Sequence, residues 1–90
     1  MKIFKTVDER FEELGFKKIE DNEYVVEYVR EVKGAGNYTH CIALSHKQSG
    51  NHIIQSYQKD VNSEGLNNMV GITPYVAKLC IKKMKQKDWV

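Results

Sequence analysis

The chain has 90 residues, enough for one hydrophobic core and too few for two. Hydrophobic residues make up 41% and charged residues 29%, with one proline and no low-complexity run, a composition unlike that of a disordered polypeptide or linker. The longest uncharged run, residues 34–46, falls short of the roughly 20 apolar residues of a membrane span, and no apolar leader follows Met1, so a cytoplasmic protein without membrane association is expected.

In chain order, Thr6-Val7-Asp8-Glu9 spells a capping box, in which the threonine hydroxyl and the glutamate side chain satisfy each other's free backbone N–H groups. Val7, Phe11 and Leu14 follow at i, i+4 and i+7, one apolar face of a helix, and Gly15 ends it. Phe16 is expected to fold back on that face. Asp21-Asn22 marks a turn. A strand is predicted from Glu23 to Lys33, with Tyr24, Val26, Tyr28, Arg30 and Val32 on one side and Val25, Glu27, Val29 and Glu31 on the other. Gly34–Asn37 has the composition of a hairpin turn, Tyr38–Lys47 reads as the next strand, Gln48–Asn51 as a second turn and His52–Lys59 as a third strand. Register rests on the second turn. A two- or four-residue loop aligns His46 with Ile53, Leu44 with Gln55 and Ile42 with Tyr57; a three-residue loop flips the last strand. The first version gathers Ile42, Leu44, Ile53 and Tyr57 and is the expected one, with His52 facing away from His46. Residues 60–71 form a long loop containing Asn62, Asn67 and Asn68, with Val61, Leu66 and Met69 as anchors. Thr73-Pro74 opens a last helix with a buried face of Val76, Ala77, Leu79, Cys80 and Met84. The expected fold is a single α+β domain over residues 1–90, in two layers: helix, three-stranded antiparallel meander, helix.

No pattern in the chain spells catalysis or metal binding, and neither a catalytic residue, a metal site nor a cofactor is expected. His40 and His46 lie six residues apart on a strand, roughly 20 Å, too far to share an ion. Ser45 and His46 are neighbours on a strand and point to opposite faces; Ser49 and His52 straddle a turn, where hydrogen bonding explains them without catalysis. Cys41 and Cys80 sit in apolar patterns and read as buried thiols.

Charge is unevenly placed. Residues 1–33 hold seven Lys/Arg against nine Asp/Glu, whereas residues 73–90 hold five lysines against Asp88. Lys78, Lys82 and Lys85 fall within about 60° of one another around the last helix, and Trp89 projects near them if the helix persists; phosphate contacts with a stacking aromatic would use these four residues. A solvated helix face that complements the helix dipole explains the lysines equally simply. Tyr24 and Tyr28 would suit a protein partner if they lie on an open sheet face beside the small residues of the second strand. Asn67 and Asn68 in the long loop are further contact candidates.

Phe11–Lys18 (FEELGFKK), Ser49–Tyr57 (SGNHIIQSY) and the lysine-rich ending at Trp89 together resemble small phage and prophage proteins of Gram-positive bacteria. That resemblance implies an accessory protein that binds a host or phage protein. The order helix, three strands, helix also resembles the double-stranded RNA-binding fold and the HicA-type toxin ribonucleases, although the lysines fall late in the second helix and Gly50-Asn51-His52 precedes the third strand. The expected function is therefore a non-enzymatic binding module docking on another protein. The alternatives are nucleic-acid binding through the basic helix and a ribonuclease built on His52. The sequence leaves the oligomeric state open, a dimer included.

Overall fold

In a computed structural model, described for residues 5–33, 38–47, 49–59 and 70–90, the chain is α+β with one more strand than expected. The order is α1 (Val7–Glu13), β1 (Lys17–Asp21), β2 (Val25–Val32), β3 (Tyr38–His46), β4 (His52–Lys59) and α2 (Pro74–Gln86). The strands form one antiparallel meander in the order β1-β2-β3-β4. The added strand is β1. It was illegible because all five of its residues are exposed and four are charged, with no apolar alternation to announce it. Those charges and a bulge at Ile19 suit an edge strand, whose free side would otherwise recruit other strands. Asn22 makes the turn into β2, its side-chain oxygen accepting from the Tyr24 and Val25 N–H groups at 2.8 and 3.1 Å. The element order on which the RNA-binding resemblance rested thus has one strand fewer than the molecule.

Both helices cover the same sheet face. Phe11 lies face to face with Tyr28, ring centroids 4.0 Å apart, and Phe16 meets Phe11 edge-on at 5.5 Å. Val26, Ile42, Leu44, Leu79, Cys80 and Met84 complete the core with Val7, Val76 and Trp89. Burial on this scale supplies most of the driving force of a small domain, on the order of 1.5–3 kcal/mol for each large apolar side chain.

The helices end alike. At the end of α1, Gly15 takes φ +92° and the Phe16 N–H returns to the Phe11 carbonyl. At the end of α2, Asp88 takes φ +59°, its N–H reaches the Lys85 carbonyl, and the Trp89 N–H reaches the Met84 carbonyl. Both are Schellman terminators, in which the residue after the left-handed position folds back on the last turn. This corrects the expectation for Trp89. The helix stops at Gln86, and the indole turns inward to 8% exposure instead of projecting beside the lysines.

The β3–β4 register is also corrected. Five residues separate His46 from His52, and the two histidines pair directly, as do Leu44 with Ile54 and Ile42 with Ser56. Ile54 therefore joins the core side while Ile53, Gln55 and Tyr57 turn to the other face. Turn 34–37 and loop 60–69, with Asn67 and Asn68, lie outside the described residues.

Candidate functional site

Among the described residues, one face of the sheet carries no helix. Its grid follows from the pairing: Val25, Ser45 and Ile53 in one row; Glu27, Ala43 and Gln55 in the next; then Val29, Cys41 and Tyr57; then Glu31 with Thr39. On the β1 side, Lys17 stands opposite Val29 and Glu20 opposite Glu27. The middle strand contributes only small side chains, so the surface is a trough along β3 walled by β2 and β4. Tyr57 spans it. The phenol donates to Glu27 Oε2 at 2.7 Å, across the row of small residues, and Cys41 and Ala43 lie beneath at 0% and 7% exposure. Burial, together with the Glu27 carboxylate that accepts its proton, raises the Tyr57 phenol far above its ordinary range. Neither Cys41 nor Ala43 belongs to the core cluster, so they are shielded from their own side of the sheet.

This surface carries Glu20, Glu27 and Glu31 against Lys17 among its described side chains. Glu20 and Glu27 stand directly opposite each other, an arrangement that destabilises a sheet unless something relieves it. Tyr57 donates to Glu27 and Asn22 Nδ2 donates to Glu20 Oε1 at 2.9 Å, but both partners are neutral.

The two tyrosines expected here are elsewhere. Tyr28 is a core residue at 1% exposure; its hydroxyl donates to Asp8 Oδ1 at 2.6 Å, and burial raises it far above the phenol range. Tyr24 is exposed at the start of β2, where its carbonyl accepts from the His46 N–H. The tyrosine that does lie beside Thr39, Cys41, Ala43 and Ser45 is Tyr57. Sequence reading missed it because the flipped register put it on the wrong face.

The lysines divide into two groups. Lys83, nine-tenths buried on α2, reaches Asp8 at 3.2 Å, and Lys87 reaches Asp21 at 2.6 Å. Lys18 bridges the same two carboxylates at 2.8 Å each. Three ammonium groups, two carboxylates and the Tyr28 hydroxyl thus clamp α1, the edge strand and α2 together. Burial opposes ionisation of Asp21, but the bonds from Lys18 and Lys87 outweigh it and lower its pKa to about 2. Lys78, Lys82 and Lys85 are exposed on the outer face of α2 and make no ion pair among the described residues. The exposed aromatic on that helix is Tyr75, whose hydroxyl accepts from Arg10 Nη1 at 3.4 Å.

His40 is buried at 2% exposure between Arg30 and Ser56. Arg30 Nε always carries a proton, so at 3.3 Å it donates to His40 Nδ1; the ring proton then sits on Nε2 and is given to Ser56 Oγ at 2.6 Å. The imidazole donates to the serine and so cannot act as its base in this tautomer. Burial, and then the Arg30 charge, hold its pKa below the ordinary value. At the far end of β3, His46 and His52 meet with Nδ1 atoms 3.0 Å apart, and the near-parallel Trp89 ring lies 5.3 Å beyond His46. Among the described residues, no group of three or more metal-binding side chains occurs, and no helix is long and apolar enough to cross a membrane. Comparison with protein-family models, curated proteins and solved structures returns no match.

Proposed function

We propose that the chain is a protein-binding module that docks through the helix-free face of its sheet. One observation carries this reading: an apolar trough around Val25, Val29, Ile53 and Tyr57, with carboxylates at Glu20, Glu27 and Glu31 and with Glu20 directly opposite Glu27 beside it. Four strands of five to nine residues present on the order of 500 Å² at ordinary strand spacing and rise, close to what each partner contributes to the smaller specific interfaces. The excess of carboxylate selects a partner patch that is apolar at its centre and carries Lys or Arg at its rim. In the phage-type setting suggested by sequence resemblance, that partner is a host or phage protein. The test compares capture from nuclease-treated lysate by the wild type and by Val29→Glu and Ile53→Glu. Both changed residues are half-exposed and outside the core, so the fold tolerates them. A stoichiometric protein retained by the wild type and lost by both variants supports the reading; equal capture by all three overturns it.

A second reading, nucleic-acid binding, is favoured by Lys78, Lys82 and Lys85, which are exposed and make no ion pair among the described residues. Without Trp89, stacking would fall to Tyr75. Binding of this kind weakens steeply with salt, and each lysine-to-alanine change lowers the slope by about one unit.

A further inference from the structure

We infer that His46 and His52 form a chelating site for a divalent transition-metal ion, copper(II) first among them. The two residues are direct partners on β3 and β4, so the backbone ladder sets the spacing of their side chains. Their rings are within 9° of parallel with centroids 4.9 Å apart, and the Nδ1 atoms are 3.0 Å apart. Carbon-to-carbon contact keeps stacked planes about 3.5 Å apart. A nitrogen separation shorter than that means the rings meet edge to edge, each leading with Nδ1. One nitrogen holds a proton and the other accepts it.

The same spacing serves an ion. Two imidazole nitrogens each about 2.05 Å from a shared metal and 3.0 Å apart subtend about 94° at it. A tetrahedral angle would spread them to about 3.3 Å. Because the rings turn before they bind, that difference of about 0.3 Å selects no coordination geometry, and copper(II) is the expected ion because it leads the affinity order. To bind, the bridging proton moves to Nε2 of its own ring, so both rings become neutral ligands through Nδ1. Each ring also turns by on the order of 40° to aim its lone pair at the common point. His52 is partly exposed, and the Trp89 ring lies near-parallel to His46 at 5.3 Å. The depression lined by His46 and Trp89 also contains the Glu23 and Asp88 carboxylates, both exposed and without an ion pair among the described residues. Water fills the remaining positions, since no third metal-binding side chain joins the pair among the described residues. The site could not be read from the sequence, because the expected register turned His52 away from His46.

The protein carries its own reporter, since Trp89 is its single tryptophan and its ring centroid lies 5.3 Å from that of His46. Untagged protein titrated with copper(II) is expected to lose Trp89 emission, saturating at one equivalent. His46→Gln and His52→Gln should each weaken the apparent affinity at least 10-fold. Electron paramagnetic resonance of the wild type at substoichiometric copper should show hyperfine structure from two nitrogens, a readout that depends on no variant folding. Copper(II) should displace both nickel(II) and zinc(II). Titrations unchanged in both variants, a copper spectrum without two nitrogen ligands, or tighter binding of zinc(II) than of copper(II) would overturn the assignment.

Discussion

His40 is a base that the fold keeps uncharged. The unfolded chain takes up a proton near the ordinary value of 6.5, whereas the folded chain resists until lower pH because the ring is buried and faces the Arg30 guanidinium. The unfolded state therefore binds more protons in that window, and folding stability is complete above about pH 6.5 and declines as pH falls below it. A second decline belongs to Asp21. Its folded pKa of about 2 lies below the unfolded value of 3.8, so its contribution is present above pH 4 and disappears as pH falls toward 2. Screening at this solvent-accessible carboxylate keeps that share to about 1 kcal/mol. Urea titrations across pH 7 to 2 should resolve both limbs. His40→Asn should flatten the upper limb alone, and Lys87→Met should shrink the lower limb alone. Loss of both limbs in either variant would mean that the groups do not act independently. Neither His40 nor Lys83 announced its role in the sequence. A histidine and a lysine buried on apolar faces are justified only by partners far along the chain: Ser56 lies 16 residues from His40, and Asp8 lies 75 from Lys83.

At the scale of elements, local chemistry was legible and strand registration was not. The Thr6 capping box forms as written, with the hydroxyl 3.1 Å from the Glu9 nitrogen and the Glu9 carboxylate 3.2 Å from the Thr6 nitrogen. Thr73 and Pro74 start α2 for the same local reasons. The end of α1 was visible because glycine marks a left-handed position. The end of α2 was hidden because Asp88 holds that position without glycine's freedom. β4 failed for a different reason: Ile53 and Ile54 are adjacent, so each face of the strand offers one isoleucine, and apolar alternation cannot choose between them. Asp88 supplies its own test. A side chain in the left-handed region costs roughly 1 kcal/mol that glycine does not incur. Asp88→Gly should therefore stabilise the protein by up to about that amount, partly offset by the greater freedom of glycine in the unfolded chain. Thermal unfolding followed through Trp89 would show it. A lowered melting temperature would mean that the Asp88 side chain makes a compensating contact.

Across the whole molecule, the outer face of α2 and the helix-free sheet face present opposite charge. The outer face of α2 carries Lys78, Lys82 and Lys85, and the helix-free sheet face carries Glu20, Glu27 and Glu31. The composition at the two ends of the chain foretold that asymmetry, but only the pairing of β1 with β2 shows that two of the carboxylates oppose each other. A free-standing domain gains nothing from this pair, whereas a docking surface for a basic partner does, because the partner's ammonium or guanidinium groups relieve a repulsion that the free protein tolerates. Glu20→Lys separates the two situations. In the isolated protein it converts a like-charge cross-strand pair into an attractive one and should stabilise the fold by about 0.5 kcal/mol, on the order of 3 °C for a domain of this size. On a basic partner the same lysine faces like charge, so capture should fall even as stability rises. A more stable variant that binds less is the signature of a residue kept for its partner. A less stable variant that binds unchanged would place Glu20 among the charges that merely blunt the edge strand.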